Sequence, residues 1–218
     1  YTPEKGWDEN KLDMFRRHII QLGTTGVFVI YDELEGKEAV TWSYLLHTVE
    51  LPMEIQELTD EVKVIGKNKA GGVSVAHLFS SAKTEQAMVD TFFCAPTNWK
   101  NVTNAQGKAL KYPNHWHFSS TTVPCKTARF LTVMDTHGKN RPDMQVVRKG
   151  NTIQVGDWTI TCNLTEKGKA AIYVSNKTEK VSLNYDAGKK EGATIVTDQV
   201  KGKQVNKVLT DYLPDFEI

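Results

Sequence analysis

Apolar positions in this chain come either in short unbroken runs or at every second residue, the two signatures of strands rather than helices. Val27, Phe28, Val29, Ile30 and Tyr31 form the clearest run, mostly β-branched or aromatic, and predict a strand covered on both faces. Asp32, Glu33, Glu35 and Gly36 follow and predict a turn. From Ala39 the period becomes two, with Val40, Trp42, Tyr44 and Leu46 on one side and Thr41, Ser43, Leu45 and His47 on the other. Side chains alternate across a strand, so His47 is predicted on the polar face, away from the tryptophan and tyrosine.

Further strand-like runs follow at Met53–Leu58, Glu61–Ile65, Val73–Phe79, Ala87–Phe93, His115–Val123 and Arg129–Met134. Turn-formers such as Gly66-Lys67-Asn68, Gly71-Gly72 and Pro113-Asn114 separate them, and no amphipathic helix intervenes. Asp8–Leu22 fits two templates. Leu12, Phe15 and Ile19 share a helical face, while Phe15, Arg17 and Ile19 would also share one side of a strand. The stretch from Pro96 to Pro113 is the longest irregular one.

Asp135–Pro142, polar and ending in proline, reads as a link to a second group of strands. There Ile153-Gln154-Val155 and Trp158-Thr159-Ile160 flank a Gly156-Asp157 pair suited to a hairpin turn. Runs at Ala170–Val174, Val181–Tyr185 and Ala193–Thr197 complete a meander, and Lys201-Gly202-Lys203 suits a last hairpin. The predicted class is all-β: a layered antiparallel β-sandwich over residues 1–138, then a small antiparallel sheet over 139–218.

Composition narrows the partners. With 27 basic against 26 acidic residues in 218, the formal charge of +1 gives no bulk field favouring nucleic acid or an anionic membrane. No apolar run approaches the roughly 20 residues of a spanning helix. The first residues, YTPEKG, carry neither a starting Met nor a leader pattern, so the chain reads as a piece of a longer protein. Cys94, Cys125 and Cys162 are widely spaced and read as small buried hydrophobes. Sequons at Asn101, Asn163 and Asn176 are inexpensive matches in an Asn- and Thr-rich chain.

Motif chemistry is sparse. His115-Trp116-His117 puts two imidazoles on one strand face, as some barrel metal sites do, but no carboxylate follows, so a half-exposed strand face is the simpler reading. His77 reads as a core histidine bonded to backbone, and His137 as a solvated linker residue. Carboxylate pairs such as Asp32 with Glu33 read as turn or surface residues, and Arg148 with Lys149 as a solvated turn. There is no G-x-S-x-G, H-E-x-x-H or phosphate loop. No catalytic residue is assigned.

The run FRRHIIQLGTTGVFVIYDELEGKEAVTWSYLLHT, residues 15–48, resembles the β-rich region of heparinase II/III-like polysaccharide lyases. The shared pattern is an F-x-R strand, an apolar strand ending in Asp-Glu, and a strand ending in W-x-x-L-L-H. Residues 127–134, TARFLTVM, match more weakly. The resemblance favours a strand from about Met14. It implies the sandwich and C-terminal sheet of a periplasmic or secreted bacterial enzyme that cleaves uronate polysaccharides by β-elimination. It also implies an α-helical toroid elsewhere in the longer chain, so this fragment alone is expected to be inactive. Tyr1 and Trp7 become candidates for contacting the acidic polysaccharide. In such lyases a histidine in the position of His47 helps hold a structural zinc with upstream ligands. The competing expectation is a carbohydrate-binding sandwich module without catalysis, using Trp99 and Trp116.

Overall fold

The computed structural model describes residues 12–49, 51–90, 104–108, 115–188, 194–200 and 203–209. Tyr1, Trp7 and Trp99 lie outside them. Every regular element among the described residues is a strand. In chain order these are β1 (Leu12–Gln21), β2 (Val27–Val40), β3 (Ser43–Val49), β4 (Glu54–Glu57), β5 (Val62–Lys67), β6 (Gly72–Ser80), β7 (Thr84–Val89), β8 (His115–Thr122) and β9 (Cys125–Gly138). The second group is β10 (Val146–Lys149), β11 (Thr152–Val155), β12 (Trp158–Cys162), β13 (Ala171–Asn176), β14 (Val181–Asp186), β15 (Thr194–Val200) and β16 (Lys203–Leu209).

They form three antiparallel sheets: β1-β2-β9-β6-β5-β4, β3-β8-β7, and a meander of β10 to β16 in sequence order. The six-stranded sheet is the middle layer. On one face Val27, Val29, Tyr31, Phe79, Leu131 and Val133 pack against Ile153, Val155, Ile160, Ile172, Val174 and Tyr185 of the seven-stranded sheet. On the other, Leu34, Val64, Ala76, Leu78 and Phe130 pack against Tyr44 and Phe118 of the three-stranded sheet. This is why Val27–Tyr31 is apolar without alternation: Val27, Val29 and Tyr31 are fully buried toward the seven-stranded sheet, and Phe28 and Ile30 are half-buried on the other face. Each such side chain contributes roughly 1.5–3 kcal/mol by burial.

The ambiguous first segment is a strand, paired with β2 from Leu12↔Gly36 to Gln21↔Phe28. The helical template fails because β1 is the end strand of this sheet and half-buries alternate residues, Met14, Arg16, His18 and Ile20. The turn expected at Asp32–Gly36 is absent, since β2 runs unbroken through it with an irregularity only between Glu35 and Val40. Acidic residues signalled a turn, but here Asp32 and Glu33 have partners within the fold and Glu35 is exposed on the strand.

The linker is shorter than its polarity suggests. β9 extends to Gly138, pairing with β6 through Gly72↔Gly138, so His137 belongs to a strand. Its side chain is only 4% exposed, with Nε2 3.1 Å from Asp143 Oδ1, and is not solvated as expected. Asp135, also buried, accepts hydrogen bonds from Arg141 and from the Met144 backbone amide (2.8 Å), fixing the course of the link into β10. Gly26 shows how closely the layers' turns are built: its φ is +79°, and its carbonyl accepts from both the amide (3.0 Å) and the hydroxyl (2.8 Å) of Thr136. A β-carbon there would meet the Thr136 carbonyl oxygen at 2.6 Å.

Candidate functional site

The strongest polar constellation lies where β1 and β2 meet. Alternation turns Arg17 to the face of the three-stranded layer and Arg16 and His18 toward the seven-stranded one. Arg17 Nε donates to Asp32 Oδ1 at 2.7 Å and Nη2 to Oδ2 at 2.8 Å, a two-point fork across directly paired residues. Asp32 is 2% exposed. The Arg17 guanidinium also lies over the Tyr44 ring, 5.6 Å from its centroid. Its pKa is raised, first by the hydrogen bond to Asp32.

On the opposite face Tyr185 of β14 accepts a hydrogen bond from Arg16 Nη1 and donates its own to Glu33 Oε2 at 3.0 Å. The His18 ring sits 4.1 Å from that of Tyr185, centroid to centroid. A tyrosine beside a histidine invites an acid–base reading. The geometry opposes it: Tyr185 is fully buried, and burial pushes its phenol up to about 12, so it stays a neutral donor to Glu33. A substrate oxygen cannot reach it. This cluster ties the layers together.

Arg129 does similar work and was not singled out by pattern. It is buried on β9 and donates to the backbone carbonyls of Thr165 and Gly168, both at 2.6 Å, holding the turn between β12 and β13. Tyr31 donates to the carbonyl of Asn163 in the same turn (2.8 Å). The signal was available: an arginine between Ala128 and Phe130, in a run where Thr132 is the one other polar residue from Ala128 to Met134, requires a built partner.

His47 stands where alternation puts it, exposed on the outer face of the three-stranded sheet. Its register partner is His117, and the two rings meet edge to face with centroids 4.5 Å apart. His115 is opposite Val49, two positions along the same face. The His117 pKa is lowered, chiefly by burial and then by its two imidazole neighbours, so it is a neutral nitrogen donor at neutral pH. Stable zinc sites use about four ligands, and no group of three or more His, Cys, Asp or Glu able to hold a metal occurs among the described residues. Two imidazoles alone do not fit a structural zinc.

The remaining expectations fare unevenly. Trp116 points inward and packs against the core under the three-stranded sheet, so it offers no exposed platform to a sugar. His77 is buried as expected, but its Nδ1 faces Glu61 Oε1 at 3.3 Å rather than a backbone group. Arg148 is not a solvated turn residue: it donates to the Asp60 carbonyl at 3.1 Å and covers the Phe79 ring. Asn163 and Asn176 use their side chains inside turns, Nδ2 of the former donating to Lys169 O and Oδ1 of the latter accepting from the Glu179 amide. Burial of Asn176 excludes it as a glycosylation acceptor in the folded chain.

The described fold is therefore an all-β, three-layer antiparallel sandwich whose buried charges serve cohesion. No protein-family model and no curated protein matches this chain.

Proposed function

We propose that this chain is the sandwich and C-terminal sheet region of a heparinase II/III-like polysaccharide lyase, acting on uronate-containing polysaccharides in the bacterial periplasm or outside the cell. The observation that carries the reading is the Arg17–Asp32 fork. The arginine of the F-x-R strand and the aspartate of the Asp-Glu strand end, two separate parts of the resemblance, bond to each other at 2.7 and 2.8 Å. The two matched residues thus form one physical unit, as expected if the matched pattern encodes a shared fold.

In this reading the β-layers are a rigid support, and the acid and base come from a helical toroid elsewhere in the longer chain. β-Elimination needs the uronate carboxylate neutralised, the C5 proton removed and the 4-oxygen protonated as it leaves. The described residues supply tight packing rather than an open acid–base pair. A structural zinc at His47 belongs to the same proposal, with its missing donors outside the described residues.

The test is to express the full-length gene product and incubate it with alginate, polygalacturonate and hyaluronan. Growth of the ultraviolet absorbance of an unsaturated uronate is expected with one of them, and none with the present chain alone. A full-length sequence without a helical segment upstream, or no unsaturated product from any polyuronate, would overturn the reading.

A further inference from the structure

The seven-stranded sheet buries one face in the core, so its alternate residues build an outer face with its own composition. Two cross-strand rows run over it. Thr161, Tyr173 and Asn184 are register partners in one row, and Thr159, Ser175, Ser182 and Thr197 in the next. Adjacent strands stand about 4.8 Å apart, so each row is a ladder of short hydroxyl and amide groups at nearly constant spacing. One large side chain interrupts it: Tyr173, 42% exposed.

The charges lining the trough stand at one end, while Lys149 and Asp186 lie in register farther along the same face. The β13–β14 turn carries Lys177 and Lys180, both exposed, beside Ser175 and Ser182. Lys180 has a φ of +55°, the one non-glycine residue in the left-handed region among the described residues. Glycine would occupy that position at less conformational cost, so the turn holds a lysine where backbone chemistry favours none. Rows and turn together enclose an open trough of about 390 Å3, lined among others by Thr159, Thr161, Tyr173, Ser175, Lys177 and Lys180. That volume falls within the range of small-ligand sites.

We propose that this outer face binds an acidic polysaccharide chain. An aromatic ring lying open beside Ser175, Ser182 and Asn184 fits a sugar, whose C–H face packs on the ring while its hydroxyls exchange hydrogen bonds with those side chains; Thr159 and Thr161 are held by Gln154 and Thr152. The two ammonium groups at the end of the trough select carboxylate- or sulfate-bearing sugars over neutral ones. The openness of the trough suits a passing chain rather than a free monosaccharide. The inference rests on this face alone and stands whether or not the longer protein is a lyase, because it concerns retention of the polymer and not its cleavage.

Calorimetric titration of the present chain with short oligomers of galacturonate, alginate and hyaluronan, and with methyl-esterified oligogalacturonate, tests it. Saturable binding to at least one acidic oligomer is expected, weaker for the ester and weaker at higher salt. Tyr173→Ala should lower affinity by about tenfold or more, roughly the loss of 1.4 kcal/mol. Ser175→Glu, which adds a like charge to the trough without touching the core, should abolish binding while the melting temperature holds. Lys180→Gly is the most discriminating variant: it should weaken acidic binding severalfold yet raise the melting temperature, since strain leaves with the charge. Absence of binding to all three acidic oligomers, or unchanged affinity in both Tyr173→Ala and Ser175→Glu, would overturn the proposal. Neither result would bear on lyase activity of the longer protein.

Discussion

Truncating either side of the Arg17–Asp32 fork should give unequal losses, and the inequality is the test of how the pair works. Asp32 is 2% exposed, whereas the Arg17 side chain is 41% exposed. In Arg17→Ala the buried carboxylate loses both donors and has no water to replace them. Removing one partner of a fully buried pair costs about 3–5 kcal/mol, and the half-open arginine brings this down to about 2–3 kcal/mol. Asp32→Ala leaves a guanidinium that can turn outward into solvent, with a cost of about 1–2 kcal/mol. The double variant no longer buries a lone charge and should be less destabilised than the sum of the singles. Urea unfolding with a constant m-value measures all three; for a chain of this size Arg17→Ala corresponds to a melting temperature lower by roughly 4–12 °C. A loss below about 0.5 kcal/mol for Arg17→Ala, the scale of an exposed pair, would refute the reasoning. So would Asp32→Ala proving the more damaging single change.

Two further outcomes follow from backbone and titration. Gly26→Ala combines a left-handed φ with a 2.6 Å approach to the Thr136 carbonyl, whereas Gly150→Ala, at φ +60°, meets nothing within 4 Å. The second should lose about 1–2 kcal/mol and the first clearly more, as read by chemical denaturation; equal losses would show that no backbone clash operates. His77 has its pKa lowered from 6.5, first by burial and only partly countered by Glu61. The unfolded chain therefore takes up this proton at a higher pH than the folded one. Stability is present above 6.5 and falls as the pH drops from 6.5 toward the lower folded value. His77→Gln should flatten that acid limb of the stability curve, and an unchanged curve would exclude His77 as a contributor.

Much of the fold was legible because alternation is a direct record of burial. The Val40–Leu46 pattern placed His47 outward and Tyr44 inward, and the structure agrees on both; the uninterrupted Val27–Tyr31 run announced a strand covered on both faces, and it is fully buried on one face and half-buried, at Phe28 and Ile30, on the other. What misled was polarity. Asp32, Glu33, Asp135 and His137 carry the residue types of turns and linkers, yet all sit in strands because each is received by a partner: Arg17 and Tyr185 for the first two, Arg141, Met144 and Asp143 of the following link for the others. Glu33 is met by Tyr185, 152 residues away, and no local rule contains that information. The seven-stranded sheet's outer face was hidden for the opposite reason. Thr159, Ser175 and Ser182 are what any solvent-facing strand carries, and only cross-strand register lines them up with Tyr173.

The placement of the charges also explains how three layers find one alignment. Apolar side chains facing each other across two sheets tolerate sliding, since Val against Ile is nearly as good one position along. A charge inside a strand covered on both faces has no such freedom: it cannot turn to water, so the fold is stable only where its partner arrives. β2 and β9, adjacent in the middle sheet, carry most of these groups. Asp32 binds β1 on one side of the layer, Glu33 binds β14 on the other, Arg129 holds the β12–β13 turn, and Asp135 holds the link into β10. Their net contribution to stability is small, because desolvation offsets most of the attraction. Their contribution to uniqueness is larger: a slip of the seven-stranded sheet by one residue would leave buried Arg129 without its carbonyls, at several kcal/mol, and half-buried Glu33 without Tyr185, at less. The apolar contacts drive the layers together, and the buried charges decide the register in which they stop.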